Sequence, residues 1–301
     1  MSNFKNIIQT NEVWFKSIYK DNYLQDFNYD EKLLNKINHF IEYGYLVLDK
    51  QFDDSITSDI INSELKYQGN LNEPLRALHA WNYNNNVKAI AINEETLKLL
   101  EILYHRKPIP FLTTNFKFGS QVPPHTDAIK YQTFPEGFMC AAWTALEDVD
   151  DQNGVIEIYP KSHLLHYVYI DKLNIIAKEA TNRYAFYKDY EAYLKEFIKY
   201  HQLEKISIPI KKGQTIIWDA NMIHAGSKII DKNRTRYSQV THYFFENCSY
   251  YAPLFSDIPL KNIYYWEVIN ILNNQKVKHY YAGKVINLKN TFLKKELNDL
   301  Y

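Results

Sequence analysis

The sequence predicts a mainly β fold with α additions: a double-stranded β-helix (jelly-roll) core flanked by N-terminal helices, a helical insertion and a C-terminal helical tail. Three observations lead there. From Phe111 onward come short β-rich runs, "FLTTNFKF", "FMCAAWTAL", "GVIEIYP", "EKISIPI", "QTIIWDA" and "RYSQVTHYFF", separated by Gly, Pro, Asp and Asn. That succession is the pattern of antiparallel strands closing into a double sheet. Before Phe111, and again between the third and fourth runs, apolar residues recur at helical spacing. Aromatic residues are abundant, with 26 Tyr and 16 Phe against 8 Gly, enough to fill a large core whose Tyr hydroxyls need polar partners.

The elements follow in order. "DEKLLNKINHFIEYGYLVLDKQF" opens with Asp30 as a helix cap and sets Leu33, Leu34, Ile37, Phe40 and Ile41 at helical spacing. Gly44 ends that helix and "YLVLDK" reads as a strand. "DDSITSDIINSELKY" and "NEETLKLLEILYH" predict two more helices, the second stopped by Pro108 and Pro110. The helical insertion covers about residues 171–202. The tail from Asp257 reads as mixed helix, amphipathic in "LKNIYYWEVINIL", and could pack on the barrel or on a second copy in a homo-oligomer. With no repeat or low-complexity linker, a single domain over 1–301 is expected. Within it, residues 1–105 are mostly helical, 106–250 form the core and 257–301 an extension.

Composition removes several classes. Lys+Arg and Asp+Glu both total 35, so the formal charge is zero, against a nucleic-acid partner that would need a basic excess. No apolar run reaches the roughly 20 residues that span a bilayer, and the N-terminus lacks the basic and apolar regions of a signal peptide. Cys140 and Cys248 form no disulfide framework. A soluble, cytoplasmic protein acting on a small molecule is expected.

The chemistry gathers around "VPPHTDAIKY". His125 and Asp127 sit two apart in an extended segment, where side chains at i and i+2 point the same way. Two imidazoles and one carboxylate on one octahedral face leave positions open, the arrangement a divalent iron site for oxygen chemistry needs. Of the ten histidines, His224 stands out as the second imidazole, because it ends an apolar strand after a turn and a polar bend in "KKGQTIIWDANMIHAGS". His163 and His166 follow a strand in a loop, and His242, inside the last β run, is expected to be a satisfied core histidine. Downstream, "NRTRYSQVTHYFF" sets Arg234 and Arg236 before alternating apolar residues. A buried guanidinium there is costly without an anion, and a small dicarboxylate suits its planar fork.

These residues resemble the phytanoyl-CoA dioxygenase family of Fe(II)- and 2-oxoglutarate-dependent oxygenases. The resemblance runs from about Tyr43 to Asp257. It is densest in "PIPFLTTNFKFGSQVPPHTDAIKY", "FPEGFMCAAWTALEDVDDQNGVIEIYPKSH", "KKGQTIIWDANMIHAGS" and "RTRYSQVTHYFFENCSYY". It implies Fe(II) held by His125, Asp127 and His224, and 2-oxoglutarate and O2 as cosubstrates. The distal carboxylate of 2-oxoglutarate would be clamped by Arg236 with help from Ser227, and Trp143 would line the pocket. Two departures stand out: Lys161 replaces a usual loop glycine in "YPKSH", and the His224-to-Arg236 gap is one residue longer than in some relatives, which leaves Arg234 as a fallback clamp. Asp127 stands where related halogenases carry a small residue, so oxidation such as hydroxylation is implied rather than halogenation. A cupin-type metal enzyme without 2-oxoglutarate and a non-catalytic ligand-binding member are the alternatives. The substrate is expected to be a small metabolite, sugar-like or a natural-product intermediate. Lys117, Lys130, Lys161, Arg76 and Arg183 are candidates for a basic rim, and Tyr131, Phe134 and Phe138 for the substrate side.

Overall fold

Helices build the N-terminal third. The structure, a computed structural model, describes residues 12–26, 29–69, 75–170, 173, 185–259 and 261–288. Helix α1 (Lys20–Asp26) precedes α2 (Glu31–Tyr43), whose first turn is capped by the Asp30 carboxylate accepting from Leu33 N at 2.8 Å. Gly44, at φ +81°, closes α2 by donating its N–H to Phe40 O, and the chain runs directly into β1 (Tyr45–Leu48). Next come α3 (Asp54–Asn62), β2 (Arg76–Leu78), α4 (Asn85–Ala91) and α5 (Glu94–Tyr104). The sequence reading found neither β2 nor α4. The first is three residues long, and the second depends on Asn84, whose side chain accepts from Asn86 N and Val87 N.

The β region continues with β3 (Pro108–Phe116), β4 (Gln132–Phe134), β5 (Met139–Ala145) and β6 (Ile156–Ile158). Helix α6 (Ala185–Tyr200) is the described portion of the expected insertion; most of 171–184 lies outside the described residues. Strands β7 (Ile206–Ile208), β8 (Thr215–Asp219), β9 (His224–Gly226), β10 (Ser238–Phe245) and β11 (Ser249–Tyr251) follow. One antiparallel sheet orders β1-β8-β5-β10-β3-β2 and a smaller one β7-β6-β9. Ala141, Trp143, Ile216, Trp218 and Val240 of the large sheet pack with Ile156, Ile158 and Ile208 of the small one. The other face of the large sheet, Cys140, Ala142, Ile217 and Tyr243, packs under Ile37 and Phe40 of α2 and Leu100 and Leu103 of α5. Strands β5 and β8 are thus buried on both faces, so they read as unbroken apolar runs rather than alternating ones.

The described portion of the C-terminal extension is not the expected helix. It forms two hairpins, β12 (Ile269–Asn270) with β13 (Gln275–Lys276) and β14 (His279–Tyr281) with β15 (Lys284–Ile286). Residues 289–301 lie outside the described residues. In "LKNIYYWEVINIL" a helical and a two-residue periodicity coexist. The second prevails because Trp266 N bonds Tyr250 O and Ala252 N bonds Tyr264 O, drawing the segment against β11 and burying Tyr264 and Val268. Among the described residues no helix is long and apolar enough to cross a membrane.

Candidate metal centre

His125, Asp127 and His224 come together as expected, each offering one ligand atom within 4.8 Å of the others. The two histidines do not meet from opposite walls. They are backbone neighbours: His125 N donates to His224 O and His224 N to His125 O, both at 3.0 Å. That reciprocal pair sets the imidazoles side by side, ring centroids 4.3 Å apart. The segment is extended only through Thr126; Asp127 begins a 3-10 turn over Asp127–Ile129. Tyr190 of α6 donates or accepts at Thr126 Oγ1 and accepts from Thr126 N, so the insertion buttresses the ligand-bearing turn.

The tautomers follow from the hydrogen bonds. His125 Nδ1 lies 2.9 Å from Pro123 O and His224 Nδ1 3.0 Å from Met222 O. A carbonyl only accepts, so both Nδ1 atoms carry the proton and both Nε2 atoms are left for a metal. Burial, then the neighbouring His224, pushes the His125 pKa down to about 3, which keeps the ring neutral and competent to ligate. Burial by itself would raise the Asp127 carboxyl. His224, His242 and His125 together outweigh that and hold it well below the usual carboxylate range. Trp218 Nε1 donates to Asp127 Oδ2 at 2.9 Å, while Oδ1 faces His242 Nε2 at 3.7 Å and His224 Nε2 at 3.9 Å.

One cavity holds this cluster and runs to Arg236. Arg236 is 1% exposed; its guanidinium donates to Gly154 O at 3.1 Å, and Nε has no partner. Burial pushes its pKa down to about 10, offset only in part by the charge of Glu147. Trp143 lines the same end, with the guanidinium 5.4 Å from its ring and its own Nε1 unpartnered. Ser227 is not among the cavity lining, though its Oγ is buried without a partner. Arg234 is engaged elsewhere, bonding both Asp150 oxygens at 2.8 and 2.9 Å, and is not among the cavity lining.

Several lining residues escaped the sequence reading. His242 is not a satisfied core histidine: it lines the cavity beside Asp127 and its buried Nδ1 has no partner. The signal was present, since Arg236, Val240 and His242 are in phase on an alternating strand and all three face inward. Trp218 was legible in the same way from Ile216. Phe255 and Trp266 were not, because they reach the cavity from beyond the core. Of the residues expected on the substrate side, Tyr131 lines the cavity; Phe134 instead stacks on Tyr251 at 4.1 Å, and Phe138 lies under Arg106 at 3.7 Å. Of the basic-rim candidates, Arg76 and Lys130 line it. Lys161 pairs with Glu42 at 3.3 Å, Lys117 sits near the Phe118 ring, and Arg183 lies outside the described residues.

The family profile of phytanoyl-CoA dioxygenase (PhyH) matches residues 52–235. No curated protein sequence matches the chain. Among solved structures, the non-heme alpha-ketoglutarate-dependent carbocyclase SnoK from nogalamycin biosynthesis is similar at 13% identity, covering 74% of this chain and 87% of that one with a TM-score of 0.56. The epimerase SnoN from the same biosynthesis is similar at 17% identity, 73% and 85% coverage and a TM-score of 0.52. EctD from S. alaskensis, in a structure with 2-oxoglutarate and 5-hydroxyectoine, is similar at 13% identity, 73% and 77% coverage and a TM-score of 0.53. At these identities the likeness establishes the double-sheet fold.

Proposed function

The chain belongs to the phytanoyl-CoA dioxygenase family, and from that membership we propose an Fe(II)- and 2-oxoglutarate-dependent dioxygenase, one domain over 1–301, that hydroxylates an unactivated C–H bond of a small metabolite. One observation carries the reading: a buried arginine lacking an anion shares a cavity with two imidazoles and an ionised carboxylate. The donor set suits a ferrous ion with open positions, and the orphaned Arg236 Nε and Trp143 Nε1 suit a dicarboxylate at the far end.

In this reading His125, Asp127 and His224 hold the metal, and Arg236 takes the distal carboxylate of 2-oxoglutarate in a charge-assisted fork. Bound Fe(II) supplies the redox centre at which O2 and 2-oxoglutarate are consumed, giving succinate, CO2 and a hydroxylated substrate. The protein's residues do the positioning. Pro123 O and Met222 O fix the ring orientations, Trp218 fixes the Asp127 plane, and the apolar walls from Leu112, Ile156 and Val240 keep water from the reacting faces. The similar structures, an epimerase, a carbocyclase and a protein bound to 5-hydroxyectoine, support an oxidative reaction on a small polar or natural-product molecule.

Anaerobic titration with Fe(II) and 2-oxoglutarate tests the proposal through the visible charge-transfer band of a chelated 2-oxo acid. The band is expected in the wild type and absent in His125→Ala. Arg236→Ala should weaken 2-oxoglutarate binding about 100-fold, about 3 kcal/mol, and Arg234→Ala should leave it unchanged. Iron binding with no band would instead support a metal enzyme that does not use 2-oxoglutarate.

A further inference from the structure

Among the described residues the charges around the cavity do not balance. Its described lining contains three cations, Arg76, Lys130 and Arg236, and a single carboxylate, Asp127, in a chain whose formal charge is zero. Under the proposed function Asp127 ligates a dication and Arg236 takes one end of a dianion. Those additions cancel each other and leave the excess of cations as it was, in a partly desolvated space where unbalanced charge is expensive. Lys130 lies 5.0 Å from the Tyr187 ring and close to Glu191. Arg76 has no such company: among the described residues its half-buried guanidinium makes no ion pair or hydrogen bond.

Register locates Arg76 relative to the metal. On β2 it stands opposite Phe116 of β3, and Phe116 in turn stands opposite Ser238 of β10. Leu78, the next residue on the same face, stands opposite Thr114, and Leu112 stands opposite His242. Leu78, Thr114 and Leu112 all line the cavity. From the level of Arg76 to that of His242 is four residues of β3, about 13 Å of strand, floored mainly by leucine. A guanidinium lies at one end of this apolar track and the metal cluster at the other.

We infer that Arg76 binds a carboxylate or phosphate of the substrate, so the molecule oxidised is an acid whose apolar body lies along Leu78 and Leu112 and whose reacting carbon is several bonds from its charged end. This rests on the proposed oxygenase function and gives the site its substrate class. Arg76 sits on the edge strand β2, across β3 from Arg236, and both flank Phe116, whose ring is 5.9 Å from the Arg236 guanidinium; the 2-oxoglutarate affinity of Arg76→Gln therefore separates a substrate anchor from a second cosubstrate clamp.

The test uses the full chain loaded anaerobically with Fe(II) and 2-oxoglutarate. Inorganic phosphate, acetate and neutral acetamide are titrated, with binding read by ligand-detected NMR. Phosphate or acetate is expected to bind saturably and acetamide not to; which anion binds more tightly identifies the head group. Arg76→Gln should weaken that binding about tenfold, the size of one charge-assisted hydrogen bond, and Arg76→Lys should recover some of it. The 2-oxoglutarate affinity and the thermal midpoint of Arg76→Gln should match the wild type. Anion binding unchanged in Arg76→Gln, meaning an anion held by the metal or by Arg236, overturns the inference. So do equal binding of acetamide and a parallel loss of 2-oxoglutarate affinity in Arg76→Gln. Failure of the oxygenase reading shows separately, as a missing charge-transfer band in the wild type. The phosphate titration and its Arg76→Gln control would still report the anion site in that case.

Discussion

At the scale of single residues, the candidate centre is organised by neighbours of the ligand set as much as by the ligand set itself. Trp218 Nε1 engages one Asp127 oxygen at 2.9 Å and its ring packs 4.6 Å from His224, so one side chain orients two of the three proposed ligands. Trp218→Phe keeps the ring contact and removes the hydrogen bond. It should cost about 10–100-fold in metal affinity while changing the thermal midpoint of the metal-free protein little, a split that Fe(II) titration and calorimetry separate. His242 is the residue whose role changes most between sequence and structure. Alternation along β10 predicts which way it faces; what it faces, Asp127 across 3.7 Å, depends on where a distant turn is placed.

At the scale of elements, the junction between α2 and β1 carries unusual constraint. Gly44 combines φ +81° with a site where a Cβ would overlap the His163 ring and Met222 Cε. Gly44→Ala therefore adds a backbone penalty to overpacking and should destabilise by about 2–5 kcal/mol, measurable by denaturant unfolding. Next to it Lys161 occupies φ +70°, the conformation for which the family's usual glycine is suited. Lys161→Gly should stabilise by about 0.5–1 kcal/mol, reduced by loss of the exposed contact to Glu42, which is worth little. The replacement changes the residue and leaves the turn in place, because Lys161 N still bonds Tyr43 O at 3.2 Å.

At the scale of the whole molecule, two neutral histidines, His163 buried and His125 half-buried, make the metal-free protein acid-sensitive. His163, 1% exposed, is pushed down to about 4 from an ordinary 6.5, mainly by burial, and His125 to about 3. Unfolding lets both take up protons, so their contribution to stability is complete above about pH 6.5 and is lost as pH falls toward 4 and then 3. Asp127, depressed from 3.8, acts in the same direction at still lower pH. The thermal midpoint of the metal-free protein should thus fall steadily below about pH 6.5. His163→Gln should flatten the upper end of that slope, and a midpoint independent of pH between 7 and 4.5 (about the window in which the two imidazoles diverge from their unfolded values) would contradict the assignment. Added Fe(II) should raise the midpoint at neutral pH and lose its effect in acid, where protons compete for the same nitrogens.

The sequence by itself determined the double-sheet architecture, most of the helices, the three residues that gather as a candidate metal site and the buried arginine in the same cavity, because each is announced locally by periodicity, a cap, a two-residue spacing or a charge on an otherwise apolar strand. The tertiary structure decided what local pattern leaves open. It made the two histidines backbone partners, assigned Arg234 to Asp150 and left Arg236 without an ion pair among the described residues, turned the described part of the C-terminal extension from helix to hairpins, and brought Phe255, Trp266 and Arg76 to the cavity. The physical reason is the same throughout. A side chain's direction follows from its own strand or helix, but its partner is fixed by register and packing between segments far apart in the chain.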